Sequence, residues 1–226
     1  MVSATTASSQ ATRVLVFAKT PVAGEAKTRL MPALGADGAA RLAERLTMQT
    51  FDMLAASGLG PIELWCAPDV RHPLFTQAAG RHGWALHPQR GRDLGERLWS
   101  AASHSPGGLL MLGTDCPALT GDHLRQALAC LSSQDAVLGP AEDGGYVLLG
   151  LRRAHASLFT DMPWSSDQVA AITRERLRHL GWTWSELAPL PDIDRPEDLA
   201  RLPDALRDSL AGSAWQSGQH ASCSRS

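Results

Sequence analysis

Leu109 to Thr120, LLMLGTDCPALT, is the stretch that decides how the rest of the chain is read. A short, continuous apolar run bounded by turn residues is the pattern of a strand buried in a parallel sheet. Pro117 stops the strand. Thr120 can cap a helix whose apolar residues Leu124, Ala127, Leu128 and Leu131 fall at helical spacing. Asp115, the one carboxylate of the stretch, then lies just beyond the carboxyl end of a central strand, where open α/β sheets collect their ligands.

Working outward, Arg13 to Ala18, Ile62 to Ala67, Trp84 to His87, Ala136 to Gly139, the residues after the Glu142–Gly145 turn, and Thr183 to Leu187 read as further strands. Between them lie helical patterns: one from about Asp37 with Ala39, Leu42, Leu46 and Met53 on one face, closed by Gly58 and Gly60; one around Pro73 to Ala79; one through about Ser103; and one over Ser166 to Leu180. A short helix in DIDRPEDLARL closes the domain. Strands alternating with helices indicate βαβ units and a mostly parallel sheet with right-handed crossovers.

The 226 residues, 44% hydrophobic and 19% charged, suffice for one large α/β domain, expected over residues 13–210. Residues 1–12 read as a disordered start and 211–226 as a flexible tail. The net charge of −2 gives no basis for nucleic-acid or anionic-membrane binding. No apolar run approaches the ~18 residues of a membrane helix, and the N-terminus lacks the pattern of a signal peptide. Cys66, Cys116, Cys130 and Cys223 show no paired spacing, so free thiols in the cytoplasm are expected. A homodimer is left open.

Four constellations can carry chemistry. In KTPVAGEAKTRLMP, after the first strand, Lys19, Gly24, Lys27 and Arg29 offer a turning backbone and cations suited to phosphate oxygens; a solvated basic loop is the plainer alternative. Asp115 can hold Mg²⁺ or Mn²⁺, or simply shape the turn before Pro117. In Asp192-Ile193-Asp194 an extended backbone puts both carboxylates on one side. Asp194 also fits a capping box with Glu197, which leaves Asp192 the better metal ligand. Asp143-Gly144-Gly145 reads first as a tight turn, and second as a place where a substrate approaches the backbone, with Asp143 as its polar contact. Weaker candidates are Asp93, a helix cap near a loop that could cover a base, and Trp164 and Ser165, an aromatic platform and a hydroxyl before a helix that Ser166 would cap.

Together FAKTPVAGEAKTRL (17–30), GRDLGERL (91–98), GTDCPALT (113–120), GPAEDGGYVLLGL (139–151), PWSS (163–166) and DIDRPEDLARL (192–202) resemble the nucleotide-diphospho-sugar transferase superfamily. Within it they most resemble the bacterial family DUF2064, whose members are often labelled glycosyltransferases. That resemblance implies a Rossmann-like GT-A type α/β/α sandwich, mostly parallel with one antiparallel strand. It implies Lys19, Lys27 and Arg29 near phosphates, Asp115 at the metal position as a single Asp where relatives carry DxD, and Asp192 and Asp194 on the far side of the metal. The first and last motifs are also similar to guanylyltransferases of the coenzyme F420 and molybdenum-cofactor pathways. The leading expectation is a Mg²⁺- or Mn²⁺-dependent glycosyltransferase using a nucleotide-sugar and a small-molecule acceptor, with Asp115, Lys27 and Arg29 catalytic. The alternatives are a nucleotidyltransferase joining an NTP to a phosphorylated acceptor, and a non-catalytic nucleotide-binding module.

Overall fold

Alternate residues of β1 (Arg13–Lys19) divide between two apolar layers, as the pleat requires. In the computed structural model, which describes residues 11–105 and 107–211, Val14, Val16 and Ala18 pack on one face, and Leu15 and Phe17 on the other. The first layer is completed by α1 (Met31–Ser57), α2 (Pro73–His82) and α4 (Gly121–Leu131), through Phe51, Leu54, Phe75 and Leu124. The second is completed by α3 (Leu94–His104) and α5 (Val169–His179), through Leu98, Ala101, Ala170 and Leu177.

The remaining strands are β2 (Ile62–Ala67), β3 (Ala85–Pro88), β4 (Leu109–Leu112), β5 (Ala136–Pro140), β6 (Tyr146–Leu151) and β7 (Trp184–Glu186). All seven join one sheet in the order β3-β2-β1-β4-β6-β5-β7. Every pairing is parallel except those of β6, which runs antiparallel to β4 and to β5. All four residues of β4 are buried, which accounts for its unbroken apolar run. The order reverses between β1 and β4, the switch point at which such sheets open a crevice. Because β6 is antiparallel and pairs Leu112 with Leu148, its first residue lies at the same edge as the carboxyl end of β4.

A third apolar cluster joins Leu30, Leu42 and Leu46 to Ile193, Leu199 and Leu202. It ties α1 to the 3-10 turn Pro196–Arg201 and to α6 (Asp204–Ala211), a helix at the end of the expected domain that no sequence pattern above announces. No helix of the described residues is long and apolar enough to cross a membrane. Cys66, Cys116 and Cys130 are free thiols. Apart from residues 11, 12 and 211, the expected disordered start and tail, and Cys223, lie outside the described residues.

Three local expectations are corrected. The long helix begins at Met31 and is interrupted at Gly35 (φ 68°) rather than starting at Asp37. Ser166 does not cap α5: the helix begins at Val169 after Gln168, and the Ser166 hydroxyl donates to Pro163 O at 2.7 Å while accepting from Gln168 N at 3.3 Å. The capping box is shifted by one residue from Asp194–Glu197, because the Asp198 carboxylate takes the backbone N–H groups of Arg195 (2.7 Å) and Asp194 (3.1 Å).

Candidate active site

The loop after β1 is anchored first by Thr20, whose N–H and hydroxyl both donate to Ala67 O at the end of β2, at 2.8 and 3.1 Å. It turns at Gly24 (φ 87°) and reaches Lys27, a non-glycine residue in the left-handed region (φ 48°, ψ 45°). Such a conformation costs about 1–3 kcal/mol and persists only where its surroundings hold it. Here the fully buried Leu30 fixes the chain on one side. On the other, Lys27 Nζ sits 2.8 Å from Asp115 Oδ1 and donates to Ile193 O, and the Lys27 side chain is 6% exposed against 55% for Asp115.

Two hydrogen bonds join the segment after β4 to the 191–194 segment. Ile193 N donates to Asp115 O at 2.9 Å, and the Cys116 thiol donates to Pro191 O at 3.2 Å. Burial pushes that thiol up to about 11, so it stays protonated as the donor. The Ile193 side chain is wholly buried in the third cluster and pins the segment, leaving Asp192 and Asp194 to face the cleft.

The two aspartates have different surroundings. Asp194 is paired with Arg29 at 2.5 Å. Asp192 is half-buried and its carboxyl is pushed up to about 6, chiefly by burial, then by the Asp143 carboxylate and more weakly by Asp115, with Lys27 opposing. Asp143 comes from the β5–β6 hairpin, where its Oδ1 accepts Gly145 N at 2.8 Å. The acidic field therefore comprises Asp192, Asp143 and Asp115. The expected ligand set of Asp115, Asp192 and Asp194 is not assembled: Arg29 occupies Asp194, and among the described residues no three acidic, His or Cys side chains converge as a metal cage. A group of carboxylates short of positive charge nevertheless fits a hard divalent cation that draws its other ligands from phosphate oxygens and water.

These groups line a cleft of 640 Å³ at the β1/β4 switch point, a size that suits a nucleotide and a small acceptor. Lys19 lies in its wall, exposed and without a side-chain partner among the described residues. Asp93 is also in the wall, and caps α3 by accepting Glu96 N at 2.8 Å. Gly24 is not in the wall. Neither is Gly144, which corrects its reading as a substrate approach: its φ is 91°, a Cβ there would lie 2.2 Å from Asp167 O, and its carbonyl accepts Ala170 N at 2.9 Å. That glycine seats the hairpin against the start of α5. Gly145, Trp164 and Ser165 (φ 67°) do line the cleft.

Sequence reasoning missed several wall or support residues. Tyr146 meets Trp164 edge-on at 6.3 Å, and burial raises its hydroxyl far above the ordinary range. Arg176 holds the Trp164 loop by donating to Ser157 O, Thr160 O and Asp161 O at 2.8, 2.6 and 3.0 Å. Gln89, Arg97 and Thr47 also line the cleft. Tyr146 stood inside a quoted motif, whereas nothing local marks Arg176.

The sequence matches, over residues 47–166, a family described as "Uncharacterized protein conserved in bacteria (DUF2064)". The chain belongs to the DUF2064 family. The matched span holds Asp93, Asp115, Asp143 and Trp164, while Lys27, Arg29 and Asp192 stand outside it. This DUF2064 protein is 30% identical over 184 residues to the 3-phospho-D-glycerate guanylyltransferase of Phenylobacterium zucineum (strain HLK1), spanning 78% of the present chain and 84% of that one. A crystal structure from Desulfovibrio desulfuricans G20, described as a nucleotide-diphospho-sugar transferase, superposes with a TM-score of 0.75 at 26% identity, covering 92% and 91% of the two chains. The Mycobacterium tuberculosis glucosyl-3-phosphoglycerate synthase, solved with Mn²⁺, UDP and glucosyl-3-phosphoglycerate, shares the fold at 13% identity, with a TM-score of 0.51 and coverage of 92% and 82%. The DUF2064 chain thus has the nucleotide-diphospho-sugar transferase fold.

Proposed function

We propose that this protein is a nucleotide-using transferase that joins the nucleoside monophosphate part of a triphosphate to a small phosphorylated acid and releases pyrophosphate. The observation that carries it is the convergence of the Lys27–Asp115 pair, Asp192 and Asp143 at the switch-point cleft, with the exposed Lys19 in its wall. The 30% identity to a guanylyltransferase supports the reaction type and an acceptor such as 3-phospho-D-glycerate.

In this reading Lys19 meets the incoming phosphates, and Lys27, fixed between Asp115 and Ile193 O, holds positive charge beside the α-phosphate. Arg29 and Asp194 close one side of the cleft. An acceptor phosphate oxygen attacks the α-phosphorus in line, and the bond to the bridging oxygen breaks with its electron pair leaving on pyrophosphate. An anionic attacking oxygen needs no proton acceptor, and the cleft wall among the described residues contains no histidine. A divalent cation held by Asp192 with Asp115 or Asp143 would, when bound, neutralise charge on the phosphates.

Glycosyl transfer from a sugar nucleotide is the second reading, favoured by the 26% identity to the Desulfovibrio protein; there Asp143 or Asp192 would take the proton of an attacking hydroxyl. One pair of assays separates the two. Pyrophosphate release from GTP with 3-phospho-D-glycerate and Mg²⁺ is expected for the first. Nucleoside diphosphate release from a sugar nucleotide, with the triphosphate inert, would overturn it.

A further inference from the structure

Gln89 lies one residue beyond β3 and in the wall of the cleft. Its backbone N–H donates to Cys66 O at 2.9 Å, and its side-chain Nε2 donates to Ala18 O at 3.1 Å and to Trp65 O at 2.8 Å. Two carbonyl acceptors demand the amino end of the amide, so chemistry alone fixes which end is which. Both amide hydrogens are used up inside the strand ends of β1 and β2. Oε1 has no hydrogen bond from the described residues and is not sealed from solvent. The polar side-chain atom that Gln89 has left for a further partner is therefore a fixed acceptor with two lone pairs.

Two other residues of the same wall suit a flat, polar-edged ring. Arg97 spends only its Nε, on Gly91 O at 3.1 Å, and leaves both Nη groups without a partner among the described residues. Phe17 presents an aromatic ring, itself stacked on Trp65 at 6.4 Å.

We infer that Gln89 Oε1 reads the nucleotide base and selects guanine through its adjacent N1–H and 2-amino donors, with the Arg97 guanidinium serving the O6/N7 edge. The inference rests on the reading of the chain as a nucleotide-using transferase. Guanine alone carries two adjacent N–H donors on one edge and two adjacent acceptors on another. Adenine and cytosine place a ring-nitrogen acceptor beside their amino group, which a carbonyl oxygen repels. Uracil flanks its single N–H with two carbonyls.

The test is the affinity of the full chain with Mg²⁺ for GTP, for ITP (which lacks the 2-amino group), and for 7-deaza-GTP (which lacks N7), by titration calorimetry. ITP is expected to bind about ten-fold more weakly than GTP, and the ratio to fall to about one in Gln89→Met. GTP and ITP binding equally to the unaltered protein, or a ratio that survives Gln89→Met, overturns the base-reading role and leaves the nucleotide reading standing. No binding of any triphosphate overturns both. Gln89→Met also removes two internal hydrogen bonds, so Arg97→Leu supplies a second arm: the preference for GTP over 7-deaza-GTP should vanish there, and its persistence removes Arg97 from the site.

Discussion

At Lys27 a left-handed backbone, a nearly buried ammonium and a carbonyl from residue 193 coincide, and Asp115 beside it is more than half exposed. The exposure of that carboxylate limits what the pair contributes to stability, since water solvates Asp115 when its partner is removed. Lys27→Met should therefore lower the unfolding free energy in urea by only about 1–2 kcal/mol, while pyrophosphate release falls at least ~100-fold. A variant that keeps its activity would remove Lys27 from the chemistry. Asp192 behaves in the opposite sense. Its carboxyl is held up to about 6 in the folded protein, above the ~3.9 of an unfolded aspartate. Near pH 7.5 the ionised form therefore destabilises the fold. Between about pH 6 and 4 the folded state binds the proton first, and the penalty disappears as pH falls. Asp192→Asn should raise the melting temperature of the ligand-free protein by roughly 2–4 °C at pH 7.5, a half-buried group being worth on the order of 1 kcal/mol here, and by less at pH 5. An equal or larger gain at pH 5 would show that Asp192 carries no such burden.

Helix α3 shows how an element is chosen for its neighbours rather than for itself. Gly95 sits in its first turn, where alanine would favour the isolated helix by up to about 1 kcal/mol. A Cβ there would lie 2.2 Å from Phe159 O and 2.8 Å from Trp164 Nε1, so the loop carrying Trp164 and Ser165 docks only because the side chain is missing. Gly95→Ala should lower the melting temperature despite the better helix former, and proteolysis should begin within 159–165, the loop that Arg176 otherwise staples. Unchanged stability would mean that the loop does not need this seat. The same contrast explains what was legible in the sequence. The strands over 13–19, 62–67 and 136–140 announce themselves because burial imposes a local pattern. Asp93 as the α3 cap and Gly58 as the α1 stop are likewise local chemistry. The Arg29–Asp194 pair spans 165 positions and Gly144 meets Asp167 across a hairpin and a loop, so no spacing rule reveals either. A capping box displaced by a single residue lies below the resolution of pattern reading.

For the molecule as a whole, alternation of strands and helices dictates the α/β class, but the strand order and the reversal of β6 follow from long-range pairing, and the antiparallel strand entered only through family resemblance. That order brings the ends of β1 and β4 and the start of β6 to one edge, and the third apolar cluster then presses the 191–194 segment against it. The half-buried Asp192 carboxylate is thus held in the field of Asp143 and Asp115 by packing elsewhere in the fold, at a cost to the ligand-free protein that a bound cation would relieve. A site of this kind ties ligand binding to global stability. GTP with Mg²⁺ at about 100 times its dissociation constant should stabilise the fold by about 2.7 kcal/mol, a rise of roughly 5–10 °C, and chelation with EDTA should remove most of it. Asp192→Asn then has two effects of opposite sign: a higher melting temperature without ligand, and a smaller shift with GTP and Mg²⁺. Improved stability bought with weakened function is what a strained acidic centre predicts. If the variant were stabilised and kept the full ligand shift, the crowding at Asp192 would be incidental and the cation would have to be held elsewhere in the cleft.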